Sequence, residues 1–207
     1  MICFSPVAAY PCSRYGKDPE VRAIVLTGAG GTFCAGNDLK AMAAGEFPVP
    51  TEDGPPPMIV TRTPASKPVI AAIEGYCFGG GFELALWCDL RVASTTAEFG
   101  VLNLAQGLPC LDGATVRLPR LIGQARALDI LLTARRVPAA EAETHGLITR
   151  LVAPGQALQE ALALAATITA LPPAALQAAR HSVLTQWSLP EKEATHHEAH
   201  LALQAPL

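Results

Sequence analysis

The sequence predicts an α/β fold with a helical last third, on three observations. Short β-branched apolar runs end in glycine clusters, each cluster opens a segment with apolar residues at helical spacing, and an alanine-rich stretch interrupted by prolines closes the chain. Residues 21–27, VRAIVLT, are the first run; they lead into GAGG, the pattern of a buried strand entering a tight loop. In FCAGNDLKAMAAG, Asn37 or Asp38 can cap a helix carrying Leu39, Met42 and Ala43. The six prolines between Gly45 and Pro64 exclude a regular helix or a central strand, so a mobile surface segment, a lid over a site, is expected there. PVIAAI at 68–73 is a second buried strand, EGYCFGGG turns the chain, and FELALWCDL places Phe82, Leu84, Ala85, Leu86 and Leu90 at helical spacing.

DLRVAS reads as a short strand. Helices are expected at about 114–122, 124–133 and 139–145, the last ended by Gly146, with LITRLV as a strand after them. Two alanine-rich helices, about 157–170 and 174–187, flank Pro172 and Pro173, and a final helix begins near Pro190. Three regions follow: an irregular segment over 1–20, an α/β core over 21–150 and a helical region over 151–207.

Composition limits the function classes. Of 207 residues, 50% are hydrophobic and 16% charged, the net charge is -3, and mean hydropathy is +0.30. Ordinary domains carry about 25% charge, so a chain this apolar is expected to self-associate. No run reaches the ~18 to 20 apolar residues of a membrane span, and no basic footprint invites nucleic acid, so neither partner is expected. Residues 1–16 lack a basic start followed by an apolar run, which makes the cytoplasm the expected compartment. Six scattered cysteines (Cys3, Cys12, Cys34, Cys77, Cys88, Cys110) without a CxxC read as thiols, mostly buried. THHEAH brings His196, His197 and His200 together, but it is one residue short of HExxH and lacks a third ligand. A solvated helix face is expected there, and no metal.

The glycine loops carry the chemistry. GAGGTF fails the dinucleotide fingerprint because its third glycine position falls on Phe33, GxxxxGK[ST] is absent, and the second loop has Phe78 and Gly79 where a hydrolase would place a serine. Two glycine turns, each opening a helix, can each aim a backbone N–H at one ligand oxygen, the design of an oxyanion hole. Alternatively the glycines only let strands and helices pack closely. Glu83 lies three residues after Gly80 in an apolar setting, where a carboxylate is costly unless bonded or used in proton transfer. It can also be read as a first-turn acid favoured by the helix dipole.

FCAGNDL after TGAGG, KPVIAAIEGYCFGGGFELALWCDLRVAS, AEFGVLNLAQGLP, RLPRLIG and AAEAETHGLITRLV together resemble the enoyl-CoA hydratase/isomerase (crotonase) family over roughly residues 20 to 187. The resemblance implies a crotonase-like spiral of ββα turns, a C-terminal trimerisation region at 151–207, a homotrimer or homohexamer, and an acyl-CoA thioester as substrate, with coenzyme A as part of that substrate and no separate cofactor. It implies oxyanion-hole donors at the N–H of Asn37 and of Gly80, and a substrate cleft along Ala35, Asn37, Asp38, Leu39, Lys40, Gly79, Gly80 and Leu102. Glu83 falls on the first of the family's two catalytic glutamates.

The second falls on Asn103, which can orient water but cannot exchange a proton. Asp112 is the candidate replacement carboxylate; its other reading is a cap for the helix that begins near Ala114. The resemblance thus implies hydration of an enoyl-CoA or migration of its double bond. The alternative is a catalytically silent crotonase-fold protein that binds acyl-CoA or assembles with homologues. About 20 residues precede VRAIVLT where the family carries some 50 more, so weakened activity is expected unless oligomer contacts cover the gap. Chain-length preference is expected to reside between Pro48 and Pro64.

Overall fold

The structure is a computed structural model and describes residues 16–38, 40–41, 44–46 and 51–205. Four parallel strands form its main sheet: β1 (Ile24–Thr27), β2 (Val69–Ile73), β4 (Leu90–Ser94) and β7 (Arg150–Val152), in the order β1-β2-β4-β7. β2 aligns Ile70 with Val25 on one side and with Leu90 on the other. Every residue of β2 is buried, which is why it reads as an unbroken apolar run and not as an alternation. A second sheet, β3 (Tyr76–Phe78), β5 (Glu98–Gly100) and β6 (Val137–Pro138), is parallel between β3 and β5 and antiparallel between β5 and β6. The sequence reading took EGYCF for a turn and missed this sheet, whose strands of two or three residues are too short to show a periodicity.

Helix α1 (Gly80–Trp87) follows β3, and Gly81 through Leu86 are all buried. It is a central helix, apolar on every side except at Glu83, and not the surface helix that apolar spacing suggests. α2 (Ala114–Ile122), α3 (Gln124–Thr133) and α4 (Ala139–Thr144) follow, at or within one residue of the expected bounds. The core gathers Leu26, Val69, Ile73, Phe82, Leu84, Phe99, Leu118 and Ile130 around α1.

The chain forms two compact units, Met1–Ala163 and Leu164–Leu207. The second unit holds the end of α5 (Ala157–Thr169), then α6 (Pro173–Thr185) and α7 (Glu191–Gln204), with α6 packed on α7. His196 and His200 are exposed on α7, the His197 ring lies tilted at 57° to that of His181 with centroids 6.0 Å apart, and among the described residues no three His, Cys, Asp or Glu side chains converge to hold a metal. No described helix is long and apolar enough to cross a membrane. Cys77 and Cys88 are buried free thiols, Cys34 and Cys110 half-buried ones, while Cys3 and Cys12 lie outside the described residues.

Candidate active site

The site is built where the two glycine loops meet. Cys34 N donates to Tyr76 O at 3.1 Å and Phe78 N donates to Cys34 O at 2.9 Å, so the first loop is laced to β3 just before the second loop begins. The approach is close enough to dictate glycine. A Cβ on Gly81 would stand 2.2 Å from Cys34 O, and one on Gly36, whose φ is +92°, would stand 3.2 Å from Phe78 O and 3.3 Å from Gly80 N. Gly79, with φ 54°, turns the chain from β3 into α1, and its N–H is taken by Gly100 O at 2.9 Å. Gly80 is the first residue of α1, so its N–H belongs to the turn that has no acceptor within the helix.

One turn further on, Glu83 is only 2% exposed. Its Oε1 accepts N–H groups from Asp112 at 3.0 Å and Ala114 at 2.9 Å, so it caps the start of α2 from a different helix. Burial pushes its carboxyl above the ordinary value; the Ala114 N–H opposes this, and the nearby Asp112 charge adds to it. A buried carboxylate with a raised pKa is suited to taking and returning a proton.

Asp112 is also buried. It does not cap α2: the N-cap is Gly113, with φ 102° and no side-chain cap. Instead its Oδ1 accepts Met58 N at 2.9 Å and the Thr61 hydroxyl at 2.5 Å, and its Oδ2 lies 4.0 Å from where a Cβ on Gly80 would sit. Asn103 is the second residue of a 3-10 helix (Leu102–Gln106). Its Nδ2 donates to Leu108 O at 2.9 Å and Pro109 O at 3.3 Å, while its buried Oδ1 has no protein partner and lies 3.6 Å from a Cβ position on Gly79. Beside these groups the Cys110 thiol is pushed up to about 11 by burial, with Glu83 and Asp112 adding to the shift, so it keeps its proton at neutral pH.

The sequence profile of the enoyl-CoA hydratase/isomerase family matches residues 12–205. The chain is 42% identical over 186 residues to the enoyl-CoA hydratase EchA19 of Mycobacterium tuberculosis, covering 87% of this chain and 70% of the relative. The chain belongs to the enoyl-CoA hydratase/isomerase family. Its crotonase fold superposes on a crystal structure of an enoyl-CoA hydratase from M. tuberculosis H37Rv with a TM-score of 0.87 at 36% identity, over 93% of this chain and 75% of that one. A protein of the same class from Thermobifida fusca YX, solved in complex with CoA, gives a TM-score of 0.81 at 31% identity, over 97% and 83% of the two chains.

In this member of the family, Ala35 and Asn37 lie on the first loop beside Gly36, and Gly79, Gly80, Glu83, Asn103 and Asp112 surround the second. Asp38 is exposed and caps the following turn, accepting Lys40 N at 2.9 Å and Ala41 N at 3.3 Å; Lys40 is exposed as well. Leu102 is half-buried and packs on Gly100. Leu39 lies outside the described residues.

The sequence reading missed Met58, Thr61 and Arg117. The expected mobile lid is, over residues 51–64, a tied strap: Arg62 donates to Glu52 O at 2.6 Å and Thr51 O at 3.1 Å, Trp87 Nε1 donates to Thr63 O at 2.7 Å, and Arg117 donates to Asp112 O at 2.7 Å and to Thr61 O. These bonds hold Met58 against Gly80, its Sδ 3.0 Å from the Cβ position. Contacts separated by 50 or more residues leave no local pattern, so only the prolines were visible. Thr61, 1% exposed, gives the strap a test. Thr61→Val leaves Asp112 Oδ1 one donor short and is expected to lower unfolding free energy by about 1–3 kcal/mol in urea titration, with Thr61→Ser restoring most of it.

Proposed function

We propose that the protein hydrates an enoyl-CoA thioester, with Gly80 N–H and Asn37 N–H as oxyanion donors and Glu83 as the proton carrier. The observation that carries the reading is the buried Glu83 carboxylate one helical turn from Gly80 N–H, with Gly36 pressed against that donor. The thioester oxygen takes both N–H groups, which draws charge out of the C2=C3 bond. Glu83 removes a proton from water as its oxygen bonds to C3, the enolate charge is held at the thioester oxygen, and Glu83 returns the proton to C2. Water is added whole and no cofactor beyond the substrate's own CoA enters.

The unpartnered Asn103 Oδ1 accepts a hydrogen bond from that water, and Asp112, facing Gly80 through Oδ2, supplies the second carboxylate. Asn103 also favours a second reading: without a proton carrier at that position, one carboxylate can move a proton from C2 of a 3-enoyl thioester to C4 and shift the double bond to C2=C3. The exposure of Val183 (62%) and Leu203 (88%) in the C-terminal unit supports self-association, as the expected homotrimer or homohexamer requires.

Two measurements test this reading. Acetoacetyl-CoA, whose enolate-like head mimics the intermediate, is expected to bind the purified chain and to show a shifted enolate absorption. With but-2-enoyl-CoA the product is expected to be the 3-hydroxyacyl thioester. Binding without turnover on either but-2-enoyl- or but-3-enoyl-CoA favours the silent alternative, and a but-3-enoyl substrate converted without hydration favours the isomerase.

A further inference from the structure

We propose that Arg91 is the positioning residue of the site: it grips the C-terminal end of α1 and thereby fixes where Gly80 N–H and Glu83 stand at the other end. Arg91 lies in β4 and is 4% exposed. Its Nη1 donates to Cys88 O at 2.8 Å and Ala85 O at 3.2 Å, and its Nε donates to Leu147 O at 2.7 Å. Ala85 O is among the last carbonyls of α1, which have no acceptor role inside the helix, and Cys88 is its C-cap. Backbone bonds pin the arginine in turn, Arg91 N donating to Thr149 Oγ1 at 3.1 Å and Thr149 N donating to Arg91 O at 2.8 Å.

The geometry matters because α1 is short. Eight residues span about 12 Å, so a rotation or slip at one end is delivered almost whole to the other. No side chain caps the N-terminal end, where Gly79 is the N-cap. There the helix is held by Gly79 N–H on Gly100 O and by Glu83 on the α2 N-terminus, the groups that must be correctly aimed for the chemistry. The rigid grip is therefore at the far end, where a planar fork reaches one carbonyl of α1, that of its C-cap and one from the α4–β7 connection together. A cation at that end also complements the helix dipole, whose positive end faces the thioester oxygen. Burial lowers the pKa of Arg91, yet a guanidinium stays charged, whereas an ammonium in its place would reach fewer of these carbonyls.

The inference rests on the proposed roles of Gly80 and Glu83, and the experiment separates the two. Wild type, Arg91→Lys and Arg91→Gln are compared for kcat and KM on an enoyl-CoA, for Tm, and for the red shift of cinnamoyl-CoA absorption on binding, which reports how strongly the carbonyl is polarised. The expected result for Arg91→Lys is kcat about 10- to 100-fold lower, KM within about twofold and a diminished red shift, measured well below its Tm. Arg91→Gln, which keeps carbonyl bonds but no charge, is expected to lose more. A lowered Tm with kcat and red shift retained overturns the proposal, as does failure of both variants to fold, since a purely structural arginine then suffices. Absence of any red shift in wild type strikes instead at the oxyanion reading itself.

Discussion

Replacing Glu83 by glutamine is expected to lower turnover about 10²- to 10⁴-fold, the usual loss when a general acid or base is removed, while leaving the fold intact. The amide keeps an oxygen to accept Asp112 N–H and Ala114 N–H, so the start of α2 stays capped, but it can neither take the proton of water nor return one to C2. The stability consequence has the opposite sign. Burial raises the Glu83 pKa above its unfolded value. Its contribution to stability is therefore fully present below the unfolded pKa and is lost as pH rises through the folded pKa. Above that folded pKa the wild type carries an ionised carboxylate in a site that disfavours the charge, and the glutamine variant does not. Tm of Glu83→Gln relative to wild type is thus expected to rise as pH rises through the folded pKa and to fall back as pH drops below the unfolded one. The same raised pKa sets the activity profile: kcat/KM of wild type should fall as pH drops through a value above the ordinary glutamate range. A variant that loses Tm and turnover together at pH 7 would make Glu83 a structural cap and no proton carrier.

Much of this site was legible because its chemistry is local in sequence. Two strand–glycine–helix patterns in the sequence place both proposed N–H donors at expected helix starts, and an acid one turn beyond Gly80 in an apolar helix had few reasons to be there. Periodicity located α2 to α4, and prolines located the ends of α5 and α6. The illegible part is long-range. Glu83 accepts from residues 29 and 31 positions away, and Asp112 accepts from residues 54 and 51 positions away. Asp112 read locally as the cap of α2, because an acid two residues before a helix commonly is one. The structure gives that cap to Glu83 and turns Asp112 to the strap. The proline-rich strap read as mobile because prolines exclude helix and sheet, but they do not exclude anchoring by side chains, and Asp112, Trp87 and Arg117 supply it. Arg91 was hidden inside DLRVAS, where its neighbours predict a strand and nothing local predicts a guanidinium facing the end of α1.

Replacing Gly36 by alanine is expected to lower kcat about 10²- to 10³-fold, the loss that accompanies one missing oxyanion donor. The effect is steric and runs through Gly80. The added Cβ would stand 3.3 Å from Gly80 N and 3.2 Å from Phe78 O, both backbone atoms that are fixed by bonds on either side. Gly79 N is bonded to Gly100 O and Phe78 N to Cys34 O, so neither loop can yield without opening the lacing between them. The cheaper adjustment is for the first loop to back away, which carries Asn37 N–H with it and widens the gap between the two donors. The φ of +92° at Gly36 adds strain of its own, since alanine disfavours that region. Glu83 is untouched in this variant, so the pH at which kcat/KM falls should stay where it is in wild type while the plateau drops. Acetoacetyl-CoA binding should weaken in parallel with kcat, because both depend on two N–H groups meeting one oxygen. Wild-type turnover in a folded Gly36→Ala protein would mean that Asn37 N–H and Gly80 N–H do not act on a common atom.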